Sequence, residues 1–468
     1  MAYQLSDLER FDLSVAMTAE TDRILGVHLH KPERQEDLAF AYWAPSVGRS
    51  RYSAIITTLV LPQDGERVLQ GNVAFLPNYL ERVLEHVPEG AGIAFMHGHL
   101  GPGWQDMSRD DVIAEHDRLA GAVAGGTGLP LVGLTRGTDG AWSARFWARK
   151  APRTYERRDA RTVRVVGRAL RMTFHPSDVP PKPSAAQVET INVWGIDAQA
   201  DLARARVGIV GLGSVGSLAA EGCSRIGVSR LSYIDHDFLE TRNLDRTHGA
   251  TVADVLAGLT KVAVAARATA RSHTAPSLDL RVMPNSVLSA DGFAAALDCD
   301  VLLSSVDRPL PRHLLNSLAF AHLIPVVDGG IFARVTPGGT PQHVAWRIHT
   351  IGPEHACMVC LGALRRSDVA LDREGKLDDP DYIAGLSEED KAAISRRNVF
   401  PFSMAVAAHQ VLQMVGLVTA FERIGGAGPQ MYDAYPGEMA VLEAQCEPDC
   451  EYLALTATAA DVGSGLIR

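Results

Sequence analysis

The chain has 468 residues, 46% of them hydrophobic and 21% charged, with a formal charge of -10. This length supports two or three domains, each with its own core, and the balance excludes a disordered chain. That charge disfavours a dedicated nucleic-acid binder, which normally needs a basic face. The opening residues MAYQLSDLERFD carry no basic start followed by an apolar run, so the expected compartment is the cytoplasm.

Residues 1–174 read as one mixed α and β domain. Leu38–Trp43 is a short apolar run, and Tyr52–Leu61 is a β-branched strand closed by the turn Pro62-Gln-Asp-Gly65. Asn78–Val87 has a helical period, and Ala91–Met96 is strand-like. That strand runs into HGHLGPGWQDMSRDD, residues 97–111. Two histidines two positions apart at a strand end share a face. With a carboxylate from the next element, His97 and His99 can hold zinc and leave a position open for water. The carboxylate is Asp111 or its neighbour Asp110, at the start of a helix expected over Asp110–Ala124. Without it, the pair is two solvated histidines in a polar loop. A hairpin is expected over Leu129–Trp147, around Gly137–Gly140, and the basic stretch Arg153–Met172 reads as a helix with a solvated charged face.

An earlier Glu, then H-x-H, a short loop and S-x-x-D resembles the JAMM (JAB/MPN) metalloprotease motif, whose members cleave after the C-terminal glycine of ubiquitin-like proteins. The resemblance implies an α+β JAB/MPN-like domain with zinc on His97, His99 and Asp111. It implies Glu36 as general base, with Glu33 as the competing carboxylate, and Ser108 as a stabiliser of the tetrahedral oxyanion. Zinc in such a site polarises the scissile carbonyl and acidifies bound water, while a carboxylate passes the proton. Gly98 replaces the family's Ser or Thr, Leu100 replaces its Pro, and the loop to Ser108 is one residue longer. These departures keep a carrier-binding module with a dead protease site as an alternative.

Residues 175–184, HPSDVPPKPS, hold four prolines and form a semi-rigid spacer. The linker is drawn over 175–189, and a second domain over 190–468. Val207, Ile209 and Val210 form a short buried strand; Gly211, Gly213 and Gly216 then make G-x-G-x-x-G before the helical run Ser217–Ile226. Such a turn brings backbone N–H groups and a helix N-terminus to a phosphate. Arg230–Ile234 is a second strand ending at Asp235, placed to bond ribose hydroxyls. A nicotinamide dehydrogenase fits up to that point. Asp237, Asn243, Arg246 and Lys261 follow, and this cationic set suits a triphosphate attacked at its α-phosphate, where charge grows on the leaving pyrophosphate. Val301–Ser305 is a buried strand, and Asp307 at its end can hold Mg2+ against phosphates. Pro325–Gly330 reads as one more strand and a turn.

In this order, G-x-G-x-x-G-S, D-x-D, N-L-x-R, a lysine and D-x4-R-x3-N are similar to the ThiF/ubiquitin-activating-enzyme superfamily (HesA, MoeB, ThiF). The likeness covers roughly residues 190–450. It implies an α/β, Rossmann-like adenylation domain with a mostly parallel sheet. It implies ATP and Mg2+ as cofactors and adenylation of the C-terminal glycine of a ubiquitin-like or sulfur-carrier protein. Asp235 then holds ribose, Asn243, Arg246 and Lys261 hold the phosphates, and Asp307 organises magnesium; Asp237, Arg312 and Asn316 support them. Cys357/Cys360 and Cys446/Cys450 are close pairs about ninety residues apart and suit one structural zinc. No cysteine lies between Leu361 and Phe400, so no thioester is expected on this chain, and Cys223 and Cys299 are expected to be buried and inert. The arginine usual before the glycine strand is not evident in INVWGIDAQ. Asp368–Arg397 reads as a mobile loop over the carrier's tail. Phe402–Phe421, interrupted by His409, Gln410 and Gln413, reads as a buried or subunit-interface helix rather than a membrane span.

The combined reading is a homodimeric enzyme that activates a carrier protein and also trims or releases it, in company with a conjugating-enzyme-like partner and without a membrane. The alternatives are an adenylating tRNA-modifying relative, a carrier-binding scaffold, and a nicotinamide dehydrogenase.

Overall fold

The computed structural model describes residues 5–31, 35–70, 72–335, 341–386, 398–419 and 428–460. Two compact units emerge: Met1–Gly167 with Arg171–Val179 and Thr456–Ala460, and Pro180–Leu455 with Arg168–Leu170 and Asp461–Arg468.

The first unit is built on β1 (Asp12–Thr18), β2 (Leu38–Val47), β3 (Arg51–Val60), the small ribbon β4 (Arg67–Gln70) and β5 (Asn72–Phe75), β6 (Gly92–Gly98), β7 (Leu131–Arg136), β8 (Trp142–Ala151), β9 (Thr154–Asp159), β10 (Thr162–Val166) and β11 (Leu170–Phe174). Nine of these form one sheet in the order β11-β10-β1-β3-β2-β6-β7-β8-β9. Because side chains alternate along a strand, both faces carry a core. Val15, Met17, Ala39, Trp43, Met96 and Trp142 pack with Leu25 and Leu29 of the helix Ala19–Leu29. Phe40, Tyr42, Ile93, Phe95 and Trp147 pack with Tyr79 and Val83 of the helix Pro77–Glu85.

Arg153–Met172 corrects the sequence reading: it is three strands, not a helix. Its arginines suggested a solvated helix face, yet every residue of β10 is buried and Arg164 is fully so. The β-branched run Thr162-Val-Arg-Val-Val prevailed over the charges, as half-buried pleated surfaces favour.

The second unit contains β12 (Arg206–Val210), β13 (Arg230–Ile234), β14 (Asp279–Met283), β15 (Val301–Ser304), β16 (Val326–Val335), β17 (Pro341–Ile351), β18 (Gln430–Asp433) and β19 (Glu438–Val441). The order is β14-β13-β12-β15-β16-β17-β18-β19. β14 through β16 are parallel, and β17 to β19 add an antiparallel extension. Connections reverse direction between β12 and β15, the topological switch point where such sheets bind ligands.

Two further expectations change. Gly329-Gly330 is not a turn: β16 runs through both glycines, pairing Gly330 with Arg347. A Cβ on Gly329 would press on Gln410 and Val406, so glycine here admits a helix against the strand. Asp368–Arg397 is not an open loop over its described part, because Arg366–Arg373 and Pro380–Ala384 are helices. Arg308 pairs with Asp372 and Asp378 and ties that segment down; residues 387–397 lie outside the described residues. The apolar helix Phe400–Thr419 is long and apolar enough to cross a membrane by length and composition. Instead it packs on β16, β17 and the helix Ser214–Arg225. Its buried Gln410 and Gln413 are bonded inside the unit: Gln410 Nε2 donates to the carbonyls of Ser304 (2.8 Å) and Val327 (3.1 Å).

Candidate functional site

In the first unit, Leu38 pairs with His97 across the antiparallel β2–β6 ladder. Glu36 lies just before β2 and makes an isolated antiparallel bridge with His30. Alternation places His97 and His99 on one face, their ring centroids 5.0 Å apart. Asp37 is buried against Arg67 and Lys31. Glu33, the rival of Glu36, lies outside the described residues.

Asp111 arrives from the helical stretch 109–127. Ser108 Oγ accepts from Asp111 N–H (3.2 Å) while Asp111 Oδ2 accepts from Ser108 N–H (2.7 Å), a capping box. S-x-x-D is thus the start of a helix, and the cap aims its own carboxylate. Asp111 Oδ1 lies 3.2 Å from His97 Nε2, and Oδ2 lies 3.1 Å from His99 Nε2. Burial alone would raise the Asp111 carboxyl, but the two imidazoles hold it well below the usual carboxylate range. One donor atom from each of the three residues falls within 4.8 Å of the others, so His97, His99 and Asp111, rather than a set built on Asp110, could hold a metal ion.

Behind the histidines lies a pair that the sequence reading missed. Ile113–Leu119 is a π-helical turn, and its Glu115 is fully buried. Glu115 accepts from Trp147 Nε1 (2.7 Å) and pairs with Arg145, whose Nη1 donates to Thr135 Oγ1 (2.6 Å). That hydroxyl lies 3.3 Å from His97 Nε2. The Glu115 carboxylate occupies space over Gly133 that a Cβ would fill. A Glu four residues past the Asp, and an Arg within the mostly apolar run Trp142–Ala148, were the available signals.

In the second unit the three glycines have separate jobs. Gly211 has φ +87, and a Cβ there would meet the Ser305 carbonyl at 2.8 Å. A Cβ on Gly216 would run into the Gly211 carbonyl oxygen, so the helix could not approach the turn. Gly213, the N-cap of Ser214–Arg225, faces open space. There the backbone is accessible to a phosphate at a helix N-terminus.

Asp235 is 7% exposed and accepts from Leu212 N–H (2.6 Å) and Asp237 N–H (2.8 Å). Burial pushes its carboxyl up, against the pull of Lys261. Asp237 pairs with Lys261 (2.6 Å). Asn243 caps a short turn by accepting from Glu240 N–H (3.0 Å), and Arg246 Nη1 donates to Asp245 (2.8 Å) and the Arg242 carbonyl (2.7 Å). The same loop covers the glycine helix, with His248 N–H donating to Ser217 Oγ (3.0 Å). Asp307 is exposed just past the end of β15. Asn316 Oδ1 accepts from Met358 N–H (3.0 Å), and Arg312 pairs with the fully buried Asp328. Asn398, also missed, donates to Ser214 Oγ (2.8 Å) at the start of the glycine helix.

The four cysteine sulfurs of Cys357, Cys360, Cys446 and Cys450 lie within 4.8 Å of one another and could hold a metal ion. Backbone N–H groups point at the sulfurs, from Cys357 to Cys446 (3.2 Å) and from Cys360 to Cys357 (3.3 Å). Cys223 and Cys299 are buried, and burial pushes the Cys223 thiol up to about 12.

The model of the ThiF family matches residues 185–450, more than half of the chain. The chain belongs to the ThiF family. Among its relatives, the sulfur carrier protein ThiS adenylyltransferase of Bacillus subtilis (strain 168) is 29% identical over 153 residues, covering 31% of this chain and 45% of that protein. The molybdopterin-synthase adenylyltransferase of Escherichia coli (strain K12) is 24% identical over 260 residues, 55% of this chain and 90% of that protein. The chain therefore spans less than half the length of the first relative and most of the second. The solved structure of E. coli MccB with ATP aligns at TM-score 0.44 with 15% identity, over 57% of this chain and 74% of that one.

Proposed function

We propose that the ThiF unit adenylates the C-terminal carboxylate of a sulfur-carrier or ubiquitin-like protein, using ATP. The observation that carries this reading is the open backbone at Gly213, at the β12/β15 switch point, with Lys261 and Arg246 on the β13 side and Asp307 at the end of β15. The glycine turn and helix N-terminus hold phosphates; Asp235, still able to accept after its two backbone bonds, takes ribose hydroxyls. Arg246 and Lys261 offset charge on the departing pyrophosphate. Asp307 would hold magnesium, which supplies charge neutralisation when bound. The carrier's carboxylate oxygen attacks the α-phosphorus, the bond from that phosphorus to the bridging oxygen breaks, and pyrophosphate leaves with its electron pair. The product is an acyl-adenylate. No cysteine occurs between Leu361 and Phe400, so the reading ends at that product rather than at a thioester. The cysteine quartet fits a structural zinc, four thiolates from two distant segments.

The first unit supports a second activity, because His97, His99 and Asp111 bring their donor atoms together and Glu36 lies just before the strand that pairs with β6. In this reading it is a zinc peptidase of the JAMM kind acting on the same carrier. His97, His99 and Asp111 hold zinc, which supplies a Lewis acid and an acidified water when bound. Glu36 moves the proton, and Ser108, whose Oγ accepts from the helix, keeps its hydroxyl proton for the oxyanion. Joining the two activities in one chain raises the local concentration of their shared substrate. A cytoplasmic homodimer working with a conjugating-enzyme-like protein completes the proposal.

The test is exchange of labelled pyrophosphate into ATP with ThiS as the carrier. Exchange that disappears in Asp307→Ala supports adenylation; undiminished exchange in that variant removes Asp307 from the mechanism. For the peptidase, cleavage of a carrier extended past its terminal glycine should stop with chelator and in Glu36→Gln. Cleavage indifferent to both rejects it.

A further inference from the structure

We propose that Arg312 and Arg347 receive the carrier's terminal carboxylate, on the side of residues 305–307 away from the glycine turn; this rests on the adenylation reading above. Asp328, fully buried, pairs with both guanidinium groups: with Arg312 Nη2 and, at 2.9 Å, with Arg347 Nη1. Ser304 Oγ also donates to it (2.9 Å). Burial alone would raise this carboxyl, but the two arginines hold it well below its ordinary range. His349 completes the cluster, its Nδ1 3.2 Å from Arg347 Nη1. Burial and the adjacent guanidinium push His349 down to about 3, so it is neutral at pH 7. Two cations therefore face one anion. A lock serving the fold alone would be balanced, because an uncompensated buried charge is costly.

The surplus charge has an outlet. Asp328 has no exposure, whereas the side chains of Arg312 and Arg347 are 15% and 21% exposed. Arg347 is engaged through Nη1 alone among the described residues. A Cβ added to Gly330 would lie 3.1 Å from Arg347 Nη2 and 3.3 Å from Arg312 Nη2. The missing side chain at Gly330 thus leaves a hollow lined by terminal nitrogens of both guanidinium groups, which donate to a carboxylate.

Its place in the sheet fits a second substrate. β15 stops at Ser304, which pairs with Asp328, while β16 and β17 continue and pair Gly330 with Arg347 beyond that end. The glycine turn abuts the other side of the same segment: a Cβ on Gly211 would meet the Ser305 carbonyl at 2.8 Å and Val306 at 3.2 Å. Two strand spacings separate β12 from β16, roughly 10 Å. A nucleotide running from the glycine turn toward Asp235 on β13 leaves the β16 side open for the attacking carboxylate.

A synthetic peptide ending in Gly-Gly, as free acid and as C-terminal amide, is titrated without nucleotide into the full chain. The wild type should favour the acid by tenfold or more. Arg347→Gln should bring the ratio close to one, and Arg347→Lys should keep part of it. Gly330→Ala, which fills the hollow and leaves every charge in place, should also erase the preference while ATP binding is kept. If Arg347→Gln fails to fold, Gly330→Ala decides. An unchanged ratio in Gly330→Ala, or no preference in the wild type, including no binding of either peptide, overturns the proposal. Pyrophosphate exchange reads the adenylation step separately: its failure in a wild type that still prefers the acid sinks that reading and leaves the carboxylate site standing.

Discussion

Arg145→Met removes the guanidinium from a strand where it is 2% exposed. It leaves the Glu115 carboxylate fully buried with Trp147 Nε1 as its remaining donor. Breaking one side of a buried ion pair costs about 3–5 kcal/mol, because the surviving charge is neither solvated nor paired. At about 1.4 kcal/mol per decade, the amides of β6, β7 and β8 should exchange roughly two to three and a half orders of magnitude faster. Hydrogen–deuterium exchange on the full chain measures this strand by strand, while β12 and β13 serve as internal controls. The double variant Arg145→Met/Glu115→Leu, with no charge left to strand, should recover most of the loss. Thr135 loses its donor in the single variant, so His97 loses its fixed neighbour, and if the proposed zinc site is right its affinity should fall about 10- to 100-fold. Exchange rates within threefold of wild type would show that this pair holds nothing in place.

Gly216→Ala and Gly213→Ala should separate folding from binding. The first drives a Cβ into the Gly211 carbonyl and should destabilise the second unit by about 1–3 kcal/mol in urea. The second costs about 1 kcal/mol at an N-cap yet should weaken ATP at least tenfold by calorimetry; equal ATP affinity would place the phosphates elsewhere. Cys357→Ser with Cys446→Ser should remove one zinc per chain by metal analysis and lower the melting temperature; unchanged metal content rejects the quartet as its holder. Asp328 has a depressed carboxyl, so the stability it adds is complete above its unfolded value of about 4 and is lost as pH falls through the folded value. The urea-midpoint advantage of wild type over Asp328→Asn should therefore shrink from pH 6 to pH 3, and a constant difference would contradict the pairing.

The ThiF fold was legible because its signals are local: a strand, a glycine turn, a helix and an acidic strand end follow one another within Arg206–Asp235. Asp111 was legible because its cap is encoded three residues away in Ser108. Arg153–Met172 was misread since composition cannot show that Arg164 is buried inside a sheet, which only strand order supplies. Asp328 passed as part of an ordinary strand and turn, although a carboxylate within an apolar run asks for partners. Arg312 and Arg347, from a helix and a neighbouring strand, become those partners only after folding. Arg145 and Glu115 are likewise thirty residues apart in sequence.

Asp235 has a consequence for timing. With one oxygen it grips the amide of Leu212 and with the other that of Asp237, so the turn and the next strand's exit are fastened to each other within the protein alone. A loop already set in its bound shape surrenders little entropy when its guest arrives. Nucleotide should then enter without a slow rearrangement of this turn, and in the proposed reaction the waiting should fall on the second substrate.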